Sequence, residues 1–338
     1  MAVTISVVMS CYNSPLVVEQ LRSIRTQTSL PDQLVVIDDS TDPDIFPMLE
    51  RELVDFPGEV VLERNVANLG LWLSWSRALA LATSTIVACC DHDDVWAPNK
   101  IERMRDVFLD PTICGMVSDA AVFDGEFDPD AARAIERRPA ASTRNRVSYR
   151  SLLTEQGWRR RKDGQLLPLA RLLRRNVTSG ATLAFRRELL AHILPLPTDM
   201  YPDHWIACNA AARGLLVLVN EPLVHYRLHA NNTVGLERAN PLQSFGDPFR
   251  RPTTATLGRL RTGSQSGSAA VVDSWERYLG MRTAFRAKNI GEFRAQLRDR
   301  PARTRMRDVR FYPDVTKAGA DLLRVARICL GSVARLRS

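Results

Sequence analysis

Lysine is scarce in this chain. Of its 46 basic residues only Lys100, Lys162, Lys288 and Lys317 are lysines, and arginine supplies the rest. The formal net charge is still +8, which suits an anionic partner: nucleic acid, a lipid headgroup or a phosphorylated substrate. No apolar run approaches the ~20 residues that a membrane-spanning helix needs. Met1-Ala2-Val3-Thr4-Ile5-Ser6 has neither a basic region nor a cleavage site, which argues against a signal peptide. The six cysteines (11, 89, 90, 114, 208 and 329) include no C-x-x-C pair, and all are predicted to be reduced thiols of a cytoplasmic protein. A Gly-rich, basic phosphate loop is also missing after the first predicted strand. Cys11-Tyr12-Asn13-Ser14-Pro15 stands in its place, which counts against a nucleotidyltransferase. No nucleic-acid recognition motif accompanies the basic charge, so no nucleic-acid partner is expected.

What is present is a core-forming chain of 338 residues, 45% of them hydrophobic, long enough for one large domain and a smaller one. Its first half alternates strands and helices. Thr4–Ser10, Gln33–Ile37, Glu59–Leu62 and Thr85–Cys90 read as strands. Ser14 as N-cap and Pro15 at the first helical position predict a helix, Asp44–Leu53 a second, and Asn68-Leu69-Gly70 opens a third through Ala82. This β-α-β-α order predicts an α/β fold with a mostly parallel, Rossmann-like sheet flanked by helices. Ligands of such sheets sit beyond the carboxyl ends of the strands. Tyr12, Asp39 and Asp91–Asp94 all fall there, so they are expected to share one cleft.

The fourth strand ends in Cys90-Asp91-His92-Asp93-Asp94-Val95-Trp96. Three carboxylates in four positions repel one another and raise each other's pKa. Either the segment is a solvated acidic turn, or a cation justifies it. Carboxylate oxygens with a nearby imidazole suit Mg²⁺ or Mn²⁺, ions that often also carry substrate phosphates.

Six segments in order then resemble one family. They are Val7–Asn13, Val35–Ser40, Asp91–Trp96, Asn176–Phe185, Pro202–Trp205 with Glu221-Pro222-Leu223, and Tyr226–Gly235. Together they are similar to the inverting family 2 glycosyltransferases of GT-A fold. Asp91–Trp96 resembles the D-Q-D-D-V-W of a bacterial subset rich in rhamnosyltransferases of polysaccharide assembly. The resemblance spans roughly residues 3–236. It implies a nucleoside-diphosphate sugar donor of dTDP or UDP type, a glycan or lipid-linked acceptor, and a Mn²⁺ or Mg²⁺ cofactor.

The resemblance also implies roles. Asp39 matches the carboxylate that accepts the N3–H of the base, although an exposed acid capping a turn is the plainer reading. Tyr12 is placed to stack on the base or merely to pack. Asp93 matches the principal metal ligand, with Asp91 beside it toward ribose or metal water, and His229 matches a ligand of the same metal. Arg227 either steadies the diphosphate or is a surface arginine. Gly180 lets backbone approach the donor sugar or acceptor. Asp203 matches the catalytic base, or else is an N-cap. Asp94 is expected to cap the following helix, and His92 to be exposed. A non-catalytic nucleotide- or glycan-binding protein is the reading from another class.

The catalytic domain is expected over 1–236. Residues 237–270 read as a linker or mobile segment, and 271–338 as a basic, helical C-terminal extension. Within the extension, Lys317–Leu336 places apolar and basic residues on opposite faces. Such a helix suits an anionic membrane interface at the inner face of the cell membrane, packing on the catalytic domain, or pairing with a second copy.

Overall fold

The structure, a computed structural model, describes residues 2–130, 160–161, 164–174, 176, 178–229, 254–265, 268–270, 272–273 and 276. The expectations for the arginine-rich span 131–159, for residues 230–253 and for the Lys317–Leu336 helix lie outside them.

Among the described residues ten strands form one sheet, nine of them in the order β3-β2-β1-β4-β9-β6-β10-β8-β7, with β7 at Arg160–Arg161 and β8 at Gly164–Leu166, and the tenth, β5, paired to β10 off this path. The first four are β1 (Ile5–Cys11), β2 (Gln33–Asp38), β3 (Glu59–Arg64) and β4 (Ile86–Cys90). They pair in parallel, as the alternation with helices predicts. β1, β2 and β4 are buried on both faces, so their sequences run mostly apolar rather than alternating. On one face Val7, Met9, Cys11, Leu34, Val36, Ala88 and Cys90 form a core with residues of helices α1 (Val17–Arg25), α2 (Ile45–Leu53) and α4 (Lys100–Phe108). Val8, Val35, Ile37 and Val87 are equally buried on the other face, where α3 (Leu71–Ala80) packs on β1 and β2. Adjacent Cys89 and Cys90 point to opposite faces, and both are buried. All five described cysteines are free thiols. Only β3, at the sheet edge, stays half exposed.

The second half of the sheet turns two more strands in the same direction. β6 (Ile113–Asp124) and β10 (Leu215–Leu228) are parallel to each other. Between β4 and β6 lies β9 (Leu183–Arg186), antiparallel to both. The β10 register shifts between Val219 and Val224, around Pro222, whose nitrogen cannot donate to the ladder. β5 (Val95–Trp96) pairs with β10 just beyond this bulge.

Two local expectations need correction. α1 begins at Val17, not at Pro15. Ser14 and Pro15 supply carbonyls to the N–H groups of Val17 and Val18 in a preceding turn, and no side chain caps the helix. Asn13 causes the delay. It adopts φ +46 and binds across to the loop after β2, accepting from the N–H groups of Thr41 and Asp42. Of the span expected as linker, Thr254–Arg261 is a helix with Leu257 and Leu260 buried. Thr256 Oγ1 donates to Asp199, and Arg259 to the carbonyls of Ile193 and Pro195. This stretch belongs to a compact unit, Met1–Ala269, and Ala270–Ser338 forms another. Its Pro, Thr, Gly and Ser content hid a short apolar pair that only packing reveals. Among the described residues no helix is long and apolar enough to cross a membrane.

Asp39 connects β2 to α3. Its Oδ1 accepts from Asn65 Nδ2 and the Leu69 N–H, and its Oδ2 from the Gly70 N–H and Asn68 Nδ2, at 2.7–3.2 Å. Only 4% of the residue is exposed. An ionised carboxylate has about four acceptor positions, and here each is taken. These bonds give Asp39 a framework role between β2 and α3. Asp39→Ala would leave the Leu69 and Gly70 N–H groups without their partner, while Asn65 Nδ2 keeps Ser74 Oγ and Asn68 Nδ2 keeps the backbone carbonyl of residue 39. It is expected to lower stability by about 2–4 kcal/mol, read from the midpoint of chemical denaturation. An unchanged midpoint would show that these donors have other partners.

Candidate active site

The carboxyl ends of β1, β2, β4, β6 and β10 lie along one edge of the sheet because all five run the same way. β9 runs oppositely, so the turn before it, Gly180–Thr182, reaches the same edge from its amino end. Residues from four distant parts of the sequence thus meet beyond one row of strand ends.

The acidic cluster is the centre. Each of its carboxylates has a different partner. Asp91 Oδ2 accepts from the Ala181 N–H at 3.0 Å. Asp93 Oδ2 is 2.9 Å from His229 Nε2. Asp94 Oδ1 accepts from the Arg227 N–H at 2.9 Å, and its Oδ2 is buried with no hydrogen bond among the described residues. Asp94 therefore ties β4 to β10 and does not cap α4, whose N-cap is Asn99. Burial, then the charges of Asp93 and Asp203, push the Asp91 carboxyl up to about 7. Burial, then Asp93 and Asp91, push Asp94 well above the ordinary carboxylate range. Crowding of carboxylates at one strand end thus makes their charge costly to keep.

Gly180 stands close to this cluster. A Cβ there would lie 2.8 Å from Asp91 Oδ1, so the position requires a residue without one. The close backbone approach is to Asp91.

Asp203 is the second residue of the helix Pro202–Arg213, whose N-cap is Tyr201. The N-cap alternative for Asp203 does not apply. Asn176 Nδ2 donates to its Oδ2 at 3.0 Å. Burial raises its carboxyl to about 6, against the lowering effect of the bonds from Asn176 and from the first-turn N–H groups. The contest between helix terminus and burial is thereby won by burial. A carboxyl titrating near 6 is ionised at neutral pH and still basic enough to take a proton. Its charge reaches Asp91, which places the two in one electrostatic unit.

The remaining expected residues divide. Tyr12 is 48% exposed beyond β1, open to stacking. Arg227 is only 4% exposed. Its guanidinium is held by the carbonyls of Asp93 and Gly125 and by Glu19, and lies over the Phe123 ring. These contacts make it a clamp on the β4–β10 junction. His92 is half-buried, not exposed. Its Nδ1 lies 3.2 Å from the Ser10 carbonyl, and burial lowers its pKa. Sequence reasoning missed Lys100 altogether, which is buried directly beneath the cluster. It also gave no role to Asn176. The Lys100 position carries no sequence signal beyond the rarity of lysine. For Asn176 the signal was its place in the fourth matched segment.

Residues 6–194 match the family described as Glycosyl transferase family 2. A protein of Nostoc sp. (strain PCC 7120), described as an uncharacterized glycosyltransferase, is 29% identical over 247 residues, or 71% of this chain and 69% of that protein. Among solved structures, S. aureus TarS 1-349 in complex with UDP-GlcNAc has a TM-score of 0.52 at 14% identity, covering 92% of this chain and 82% of that one. The complex of the same fragment with UDP gives 0.51 at 15% identity, covering 92% and 81%. Against a longer TarS chain the TM-score is 0.50 at 14% identity, and this chain, covered to 92%, spans about half of its length, 49%. At these identities the likeness to TarS is one of fold.

The raised pKa of Asp203 carries a sign that can be checked. A carboxyl held above its unfolded value of 3.8 contributes stability that is fully present below 3.8 and is lost as pH rises through about 6. Asp203→Asn, which carries no charge to bury, should gain stability over the wild type at pH 7.5. The gain should shrink at pH 5, as read from paired denaturation curves. Equal gains at both pH values would show that burial does not set this group's titration.

Proposed function

The chain belongs to glycosyl transferase family 2 and is a glycosyltransferase, and on that premise we propose that it moves a sugar, with inversion, from a nucleoside-diphosphate donor to a hydroxyl of a glycan or lipid-linked acceptor. The observation that carries this reading is the meeting of Asp91, Asp93, His229 and Asp203 at one sheet edge. The motif resemblance favours a dTDP or UDP donor and rhamnose as the sugar.

In this reading Asp203 is the base. An inverting transfer is one in-line displacement and needs a single carboxylate opposite the leaving group. The acceptor hydroxyl gives its proton to Asp203. Its oxygen bonds to the anomeric carbon as the bond from that carbon to the phosphate oxygen breaks, and the diphosphate leaves with the electron pair. Asn176 fixes the orientation of the Asp203 carboxylate through its Nδ2 bond. Tyr12, exposed beyond β1, is assigned to the base of the donor.

Among the described residues no three acidic, histidine or cysteine side chains form a ready-made metal cage. That is compatible with a divalent ion, since Mg²⁺ is usually held by one or two carboxylates plus substrate phosphates. Asp93 with Asp91 and His229 provides oxygen and imidazole donors of the right chemistry. These residues would hold Mn²⁺ or Mg²⁺, which supplies charge neutralisation of the departing diphosphate.

Donor hydrolysis and transfer measured with and without EDTA test the proposal. Asp93→Asn is expected to abolish metal-dependent transfer, and His229→Ala to weaken it less. Full activity of Asp93→Asn in EDTA would remove the cation from the mechanism. Asp203→Asn should keep donor affinity and lose turnover by ~10²–10⁴-fold. NMR of the product should show the anomeric configuration opposite to the donor's. A retained configuration rules out the single displacement.

A further inference from the structure

Lys100 is an anomaly of cost. It is 0% exposed, among the largest fully buried side chains of the molecule. Burial drives its pKa down to about 7, against the nearby Cys90, Asp94 and Asp91. Isolated burial of an ammonium is expensive, and an apolar side chain of the same length would fill the space more cheaply. Packing alone therefore does not explain a lysine here, in a chain where lysine is rare.

Its contacts do. The Nζ donates to the Ala181 carbonyl at 2.5 Å and lies 3.8 Å over the Trp96 ring. The N–H of the same Ala181 donates to Asp91 Oδ2 at 3.0 Å. Lys100 and Asp91 thus grip one residue from its two ends, C=O and N–H. Ala181 is itself fully buried, and the Thr182 N–H closes the turn onto the Ser179 carbonyl. On the other side, Gly180 approaches Asp91 so closely that a methyl there would stand 2.8 Å from Oδ1. Asp91 is therefore pinched by the Gly180–Thr182 turn, and Lys100 holds that turn from below.

We propose that Lys100 is a positioning residue for the donor site: through the Ala181 carbonyl it fixes the turn that orients the Asp91 carboxylate. The consequence for binding rests on the donor reading above, but the consequence for the turn does not. Residues that orient a metal-binding or substrate-binding carboxylate are typically worth 10–100-fold in affinity or activity when removed.

The test uses Lys100→Met, which keeps a stem over Trp96 and loses the ammonium. Lys100→Gln keeps an N–H donor but loses the charge. Hydrogen exchange of the whole ligand-free protein is measured for each. In Lys100→Met, exchange should accelerate at Ala181 and Thr182 by at least tenfold more than at the N–H groups of β1 and β2. Lys100→Gln should recover part of that protection. UDP titrated calorimetrically with Mn²⁺ should bind 10–100-fold more weakly to Lys100→Met than to the wild type.

A uniform rise in exchange across the chain, or none at the turn, would overturn the proposal, because Lys100 would then only contribute to global stability. So would unchanged UDP affinity in Lys100→Met when the wild type binds. If the wild type itself does not bind UDP with Mn²⁺, the donor reading fails while exchange still decides the role of Lys100. Should both lysine variants fail to fold, Gly180→Ala carries the test from the other side of the turn. Its methyl presses on Asp91 with Lys100 in place, and it should cause the same local loss of protection. Unaltered exchange there would equally overturn the coupling.

Discussion

The crowding of Asp91, Asp93 and Asp94 at the end of β4 is the constraint around which this structure is arranged. Three carboxylates so close cannot all be left to repel one another in a half-buried edge. Each is given its own partner, and each partner comes from a different element. Asp94 takes the backbone N–H of Arg227 in β10, Asp93 takes His229 just after β10, and Asp91 takes the turn before β9. The acidic cluster thereby fastens the second half of the sheet to the first. The Arg227 guanidinium, fixed by the Asp93 carbonyl and Glu19, closes the same junction from within.

The same constraint makes the edge reactive. Burial and mutual repulsion raise Asp91 to about 7, and burial raises Asp203 to about 6. These are carboxyls whose charge is costly to keep. Family 2 membership gives this chemistry its direction, transfer of a glycosyl group. The arrangement also separates roles by depth. Tyr12 is exposed above the edge, the carboxylates lie at it, and Lys100 with Trp96 lies beneath.

The second strand end shows how acids at a strand end also build the framework. Asp38 and Asp39 both look like ligand-facing acids when read along the chain. In the fold, Asp38 accepts from the Ser40 N–H and pairs with Arg64, and Asp39 gathers four donors that start α3. Donors from Asn65, Asn68, Leu69 and Gly70 are distant enough in sequence from Asp39 that no spacing rule would have paired them.

The sequence by itself determined the parallel β-α-β framework, because apolar runs buried on both faces and helices between them admit little else. It also determined which strand ends carry acids, and so the edge where a site had to lie. Asp91, Asp93, Asp203, Gly180 and His229 could be singled out along the chain because local patterning and motif order are properties of the chain. Tertiary structure alone decided which donors each carboxylate meets, since hydrogen-bond partners 26 to 136 residues apart are fixed only when strands take their places in the sheet. It turned Asp39 and Arg227 inward, packed Thr254–Arg261 onto the catalytic unit, and set a buried lysine under the acidic cluster. Pairwise contact across the fold, unlike hydrophobic periodicity, leaves no trace in a single sequence.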